Sequence, residues 1–392
     1  MSIPSTSPLR ITAIKQVELK TVREVGVVEP AWDPGGQMRF TVGGGAVVEV
    51  HTNEGLIGIG PGIDPALLPV INAKLVDTDP FAIEQHAATL HYYARGLPYR
   101  GAAGVDIALW DVIGKACGQP LYQLWGGSKP TLASPNGADG GQVRVPAYAS
   151  LIRLSTPAER ADLAMQLAAD GWQALKLRLH HPTLQEDLQT MAAVRQAVGD
   201  QMTIMVDANQ AQSAGDWQPG IRWDLRRALE TARELDRLGC YWLEEPLPRY
   251  AFRALAQLNA AVAMPIAGGE NNPGLHEFVQ MVTEDVYDIL QPESMVLNGV
   301  TALRKIGVLA ALHGKQVCPH HGGRGLGTIA HLHLAASWPH CPYLELLHDP
   351  PIGHYQSGFA MLTQPLVVDR AGFVAVPQGP GLGVEINPDF LR

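Results

Sequence analysis

The sequence predicts an α/β protein built on a parallel (β/α)-barrel, with a smaller α+β domain before it and a tail that returns to that domain. Three observations carry this expectation. From Val143 onward, short runs that are apolar on both faces alternate with helical patterns, as the buried parallel strands of a barrel do. Three of these runs end in an acidic residue: Asp207 in TIMVDANQ, Glu244 in CYWLEEPLP and Glu270 in PIAGGENN. The chain before them begins instead with period-2 segments, which suggest an antiparallel sheet. Domains are expected over residues 1–135, 136–350 and 351–392.

Taken in order, ITAIKQVELK and AVVEVHTNEGLIGIG read as antiparallel strands. Between them VREVGVVEPAWDPGGQMRF, with its Gly and Pro turn residues, reads as a mobile loop. In GAAGVDIALWDVIGKACG the apolar Val105, Ala108, Leu109, Val112 and Ile113 recur at helical spacing, and Gly118 with Pro120 stops the helix. TLASPNGADGGQ, rich in Gly, Ser, Asn and Asp, reads as the connection into the barrel. Strands are then expected at VPAYAS, ALKLRL, TIMVDA, YWLEE, PIAGG, DILQP, QVCPH and PYLELL, separated by helical patterns such as DLQTMAAVRQAV and ALRKIGVLAALHG. An open doubly wound sheet is the competing arrangement, but no GxGxxG opens any of its helices. The irregular tail after Pro350 is expected to pack against the first domain.

Composition narrows the function. The 392 residues are 46% apolar and 17% charged, enough for a large core and against long disorder. A net charge of −9 with no cluster of Lys and Arg gives no nucleic-acid surface. MSIPSTSPLR lacks a basic segment followed by an apolar one, so no secretory signal is expected, and no apolar run approaches ~20 residues, so no spanning helix is expected. Cys117, Cys240, Cys318 and Cys341 lack CxxC spacing and read as reduced core residues of a cytoplasmic protein.

Carboxylates on successive strand ends converge on the catalytic face of a barrel. Singly, each could be a helix cap or an ion-pair partner; together Asp207, Glu244 and Glu270 offer the hard oxygen ligands that Mg²⁺ or Mn²⁺ takes, with positions left for a substrate. Glu245, adjacent to Glu244, must point elsewhere and reads as an outer partner or a structural ion pair. Lys176 and Arg178 lie two apart in ALKLRL, hence on one face, where cations could neutralise a substrate carboxylate. His320 and His321 stand at the seventh strand end before glycines that let a substrate approach, and one of them is a plausible base. Glu293 could orient an imidazole, and Glu345 brings an acid from the eighth strand. This set suits proton abstraction next to a carboxylate, where a metal and a Lys stabilise the enediolate.

At this point the chain resembles the enolase superfamily, and within it the mandelate racemase subgroup. GVDIALWDVIGKACGQPLYQLWGG is similar to the end of that family's capping domain, KxR to its KxK strand, VDANQ, WLEEP and GGEN to its three ligand strands, and PHHGG to its seventh strand. The resemblance implies a modified TIM barrel whose α+β capping domain is completed by the tail. It implies Mg²⁺ on Asp207, Glu244 and Glu270, Lys176 against the substrate carboxylate, His320 as base, Glu293 as its partner and Glu345 as a hydrogen-bond donor or acid. Asn209 and His321 would face substrate, with capping-loop contacts from Arg23, Glu29, Trp32, Arg39, Tyr99 and Arg100. The substrate implied is a small carboxylate, and an even-numbered homo-oligomer such as an octamer is expected. Arg178 stands where racemases carry a second Lys, and a guanidinium is a poor base. A sugar-acid dehydratase giving a 2-keto-3-deoxy acid, with His320 as its single base, is therefore expected. A racemase or epimerase of a 2-hydroxy or amino acid and a catalytically silent scaffold are the alternatives. Glu293 replaces the family's usual Asp, which changes its reach to His320.

Overall fold

A computed structural model describes residues 8–95, 101–127, 142–213 and 217–391. Tyr99, Arg100 and the expected connection TLASPNGADGGQ, apart from its last residue, lie outside them. The first part forms β1 (Ile11–Glu18), β2 (Thr21–Val28), β3 (Met38–Gly43), β4 (Ala46–Thr52) and β5 (Ile57–Pro61), then helices α1 (Leu68–Leu75), α2 (Ile83–Ala94), α3 (Ala103–Cys117) and α4 (Leu121–Leu124). β1, β4 and β5 make an antiparallel sheet, as their alternation requires. The stretch expected to be a mobile loop is instead a ribbon of β2 against β3 joined by a turn near Pro34. Its β-branched run TVREVGVV outweighs the punctuating glycines.

α3 is the hinge post of the molecule. Its residues from Ala103 to Gly114 are buried all round, and Gly118 ends it in the left-handed conformation at φ 65°. β5 lies directly on it: a Cβ at Gly60 would come within 2.0 Å of the Gly104 carbonyl oxygen, so only glycine permits this approach. Two aspartates inside this apolar helix are satisfied by other elements. Asp106 accepts from Thr301 N at 3.0 Å and Thr301 Oγ1 at 2.6 Å, while Asp111 accepts from Ile59 N at 2.9 Å and Leu382 N at 2.7 Å. Cap, barrel and tail are thus tied to one helix.

The barrel follows as β6 (Arg144–Ser150), α5 (Pro157–Ala169), β7 (Ala174–Arg178), α6 (Leu184–Val198), β8 (Thr203–Asp207), α7 (Leu225–Arg237), β9 (Leu243–Glu244), α8 (Phe252–Ala261), β10 (Ile266–Gly268), α9 (Leu275–Thr283), β11 (Ile289–Leu290), α10 (Val300–Leu312), β12 (Gln316–Val317), α11 (Leu326–Ser337) and β13 (Leu344–Leu347). All eight expected strands form, in the order β13-β6-β7-β8-β9-β10-β11-β12 with parallel neighbours. Val317 N bonds His340 O at 3.1 Å, joining β12 to the segment that leads into β13. α5 and α6 begin in capping boxes, Thr156 with Glu159 and Thr183 with Glu186. Inside the ring Tyr148, Ala174, Met205, Trp242, Ala267, Ile289 and Cys318 form one apolar plug. The tail meets the first domain as expected, through Lys20 N to Phe390 O and Leu121 N to Gly381 O. It also adds β14 (Phe373–Ala375) antiparallel to β6, a pairing the sequence did not announce. Cys117 is exposed rather than a core residue; Cys240, Cys318 and Cys341 are buried, and all four are free. No helix among the described residues is long and apolar enough to cross a membrane.

The buried His333 pins α11 to α4 and the tail: Nδ1 accepts from Tyr122 N at 3.3 Å and Nε2 donates to Leu382 O at 3.0 Å. Burial lowers its pKa from 6.5 to about 4. The folded state then binds fewer protons than the unfolded chain between those values. Its contribution is therefore complete above pH 6.5 and falls by on the order of 3 kcal/mol as pH drops towards 4. The Tm gap between wild type and His333→Asn should close over that window; a gap constant with pH would contradict it.

Candidate active site at the C-terminal mouth of the barrel

The site stands one pleat above the apolar plug, because side chains two residues apart share a face of a strand. Ala174 is followed in this way by Lys176 and Arg178, Met205 by Asp207, Trp242 by Glu244, Ile289 by Gln291 and Glu293, Cys318 by His320, and Tyr343, packed against the plug, by Glu345. Glu270 arrives from the turn after β10, where Gly269 has φ 111°.

Asp207, Glu244 and Glu270 are buried, and each presents an oxygen within 4.8 Å of the others. Burial raises the Glu270 carboxyl; His320 beside it pulls the other way, and Glu244 adds to the rise. Like charges packed so closely out of water favour a bound cation. The donor set, all hard oxygen, fits Mg²⁺. Outer groups hold the three carboxylates in place. Glu244 Oε2 accepts from Gln291 Nε2 at 2.7 Å and Trp242 Nε1 at 3.1 Å, and Asp207 Oδ1 accepts from Asn209 N at 2.7 Å. Asn209, at φ 46°, keeps its Oδ1 buried and unpaired beside the triad. Glu245, also at positive φ, is buried; Asn271 Nδ2 bridges its Oε1 at 3.3 Å and Glu270 Oε1 at 3.1 Å, making it an outer partner of the third ligand.

Lys176 is wholly buried among carboxylates, with Nζ 2.6 Å from Glu244 Oε1, 3.0 Å from Glu345 Oε1 and 3.8 Å from Asp207 Oδ2. Burial opposes its charge, but Glu244 and Glu345 outweigh that and leave it a firm cation. Arg178 donates to Asp207 Oδ2, to Leu151 O at 2.8 Å and to Ser150 Oγ at 2.9 Å, and the Trp32 ring lies 5.2 Å from its guanidinium carbon. Four contacts thus hold it as a fixed cation.

His320 donates from Nδ1 to Glu293 Oε2 at 2.8 Å, and its Nε2 is 3.2 Å from Glu270 Oε2. The longer Glu293 reaches the imidazole despite the expected change in reach. It also accepts from Gly322 N at 3.0 Å and Met295 N at 2.9 Å. Burial opposes protonation of His320, but Glu270, Glu345 and Glu293 raise it to about 10, so the ring is a cation in the metal-free site; a metal cation held by Glu270 would offset the largest of those contributions and favour the neutral imidazole that a base needs. Burial raises the Glu293 carboxyl, but the hydrogen bond from His320 outweighs it and the group is held at about 2. His321 packs against His320 with ring centroids 4.0 Å apart, but burial and that neighbour lower it to about 3, and its Nδ1 already accepts from Gly323 N at 3.0 Å. Of the two histidines, His320 has the geometry of a base. Glu345, to which the resemblance gives the role of hydrogen-bond donor or acid, is buried, which raises its carboxyl, but Lys176 and His320 outweigh that and hold it well below the usual range in the substrate-free site.

The capping ribbon reaches the barrel mouth through Val28 and Phe40, which pack on Ile152 and Leu347, with Trp32 at the edge. Arg39 does not join them. It is exposed and pairs with Glu24 across the ribbon at 3.3 Å, because alternation on the strand turns it outward. Arg23 and Glu29 are exposed as well. Gln291, Trp242 and Asn271 were not found from the sequence. Gln291 had a signal, since it lies one pleat below Glu293 in DILQPES.

An α+β cap over a parallel barrel, with three carboxylates, a buried Lys and a His–Glu pair at the strand ends, defines an enolase-type site. The chain matches the enolase C-terminal domain-like model over residues 159–390, and the mandelate racemase / muconate lactonizing enzyme N-terminal domain over residues 22–126. It belongs to this family. It is 30% identical over 370 residues to the D-galactarolactone cycloisomerase of Agrobacterium fabrum, spanning 90% of this chain and 92% of that protein. It is 28% identical over 364 residues to the arabinonate dehydratase of Saccharolobus solfataricus, spanning 86% and 87%. The crystal structure of D-glucarate dehydratase from Agrobacterium tumefaciens complexed with magnesium is similar at a TM-score of 0.80 and 26% identity, covering 97% of each chain.

Proposed function

We propose that the protein is a Mg²⁺-dependent dehydratase of a sugar acid, aldonate or aldarate, yielding a 2-keto-3-deoxy acid. The observation that carries this is the asymmetry of the site: His320 is an oriented imidazole, whereas Arg178 is a cation held by four contacts. One base serves an elimination; a racemase needs one on each face of the carbon. Asp207, Glu244 and Glu270 would hold Mg²⁺, which supplies positive charge to the carboxylate oxygens of the developing enediolate.

Within that frame His320 Nε2 takes the α-proton, with Glu293 fixing the tautomer from Nδ1. Lys176 places a desolvated positive charge against the substrate carboxylate as negative charge grows there. His320 then returns the proton to the departing β-hydroxyl, the C–O bond breaks, water leaves, and the enol tautomerises to the 2-keto acid. The likeness to a cycloisomerase supports a second reading, in which the same base removes the α-proton and the departing oxygen belongs to a lactone ring. Proton NMR in D₂O with Mg²⁺ on aldonates, aldarates and their lactones tests both. The dehydratase should consume the α-proton signal and release a 2-keto-3-deoxy acid from an open-chain acid. Turnover of lactones alone favours the second reading, and exchange without elimination would overturn both in favour of a racemase.

A further inference from the structure

Resting on that reading, we propose that His180 is a specificity residue whose Nδ1–H donates a hydrogen bond to an oxygen at the far end of the substrate, beyond the carbons that react. His180 continues the inward-facing series Lys176, Arg178, while Leu175, Leu177 and Leu179 face the surrounding core. An extended chain carries it about 6–7 Å further toward the mouth than Arg178. A hexonic acid with its carboxylate at Lys176 would be long enough to bring a distal hydroxyl to that level.

The imidazole is only 3% exposed, and its Nδ1 has no hydrogen-bond partner. Its tautomer follows from its neighbour. Gln210 Oε1 accepts from Trp223 N at 2.7 Å and Gln218 Nε2 at 3.2 Å, so the amide of Gln210 is oriented. The donor group Nε2 of that amide bonds Ala208 O at 2.8 Å and Ile221 O at 3.0 Å, and lies 3.4 Å from His180 Nε2. Both hydrogens of that amide are engaged by the two carbonyls, and the amide nitrogen offers no acceptor, so a proton on His180 Nε2 would face it without a partner; the proton is placed on Nδ1. Burial, with His181 beside it, lowers the pKa to about 4, so the ring is neutral in the working range. Gly220 lies against the ring: a Cβ there would lie 2.7 Å from Nδ1 and 3.3 Å from Pro34 of the capping turn, so any side chain at 220 would cover Nδ1. The orphan donor thus sits under the contact between cap and barrel.

His331 and His333 are equally buried, and each has both ring nitrogens partnered. A buried donor left unpaired is destabilising, and a ligand oxygen is the partner that would satisfy it.

The test compares wild type, His180→Leu and His180→Asn on a panel of hexonic acids and on glyceric acid, by NMR in D₂O with Mg²⁺. His180→Leu should raise KM for the preferred hexonic acid at least about tenfold with little change in kcat, and lower its kcat/KM relative to glyceric acid by a similar factor. His180→Asn, which keeps a donor, should recover part of that loss. An unchanged ratio in His180→Leu, with the fold intact by circular dichroism, would overturn the assignment. If the Leu variant does not fold, the ¹⁵N signal of wild-type His180 Nδ1 decides: it should shift on titration with a hexonate, and a static signal would overturn the role. A wild type that turns over no acid sinks the dehydratase reading, and the ¹⁵N titration then still decides this one.

Discussion

His320→Asn is expected to lower the rate of elimination and of α-proton exchange together by roughly 10³-fold, while the protein still binds Mg²⁺. The two readouts fall together because one imidazole both removes and returns the proton. The fold should survive. Glu293 keeps its bonds to Met295 N and Gly322 N, and the triad residues are untouched. Turnover by NMR and Mg²⁺ affinity by calorimetry check this. A loss smaller than tenfold would move the base elsewhere, first to His321, whose Nδ1 would have to give up Gly323 N.

Glu270→Gln is expected to weaken Mg²⁺ binding by at least about 100-fold, more than the loss of an outer-shell partner brings. In the wild type, Mg²⁺ at about 100 times its Kd should stabilise the fold by about 2.7 kcal/mol, seen as a rise in Tm. That stabilisation should fall to about 0.4 kcal/mol or less in the variant at the same concentration. Without Mg²⁺ the variant should be at least as stable as wild type, because one of three crowded anions is gone and burial already raises this carboxyl. Scanning calorimetry with and without Mg²⁺ gives both numbers. An undiminished Mg²⁺-induced shift in Glu270→Gln would show that the triad is not the metal site.

The convergence of the three carboxylates was legible because each ends an apolar run, and such a run in an α/β pattern has few other places to end than the barrel mouth. Lys176, Arg178, Glu293, His320 and Glu345 were legible for the same reason, since the two-residue pleat fixes which side chains share the barrel's interior. The capping ribbon was not. Arg39 and Trp32 both looked suited to a substrate, but strand register turned Arg39 to solvent beside Glu24, and Trp32 found the Arg178 guanidinium. Turn residues suggested mobility where paired β-branched residues formed β2 and β3.

By itself the sequence determined the eight-strand barrel, the antiparallel start, the long apolar helix α3 and the identity of the chemical groups, because periodicity and strand-end position are local properties of the chain. Tertiary structure alone decided which partners those groups found. Glu244 is held by Gln291 and Trp242, Asp106 by Thr301, and β6 accepts a strand from the tail, all across long stretches of chain. Buried polar atoms take whatever donor or acceptor the packing brings within about 3 Å, and no local pattern encodes that distance. The unpaired Nδ1 of His180 became visible only there, once every neighbour had its partner.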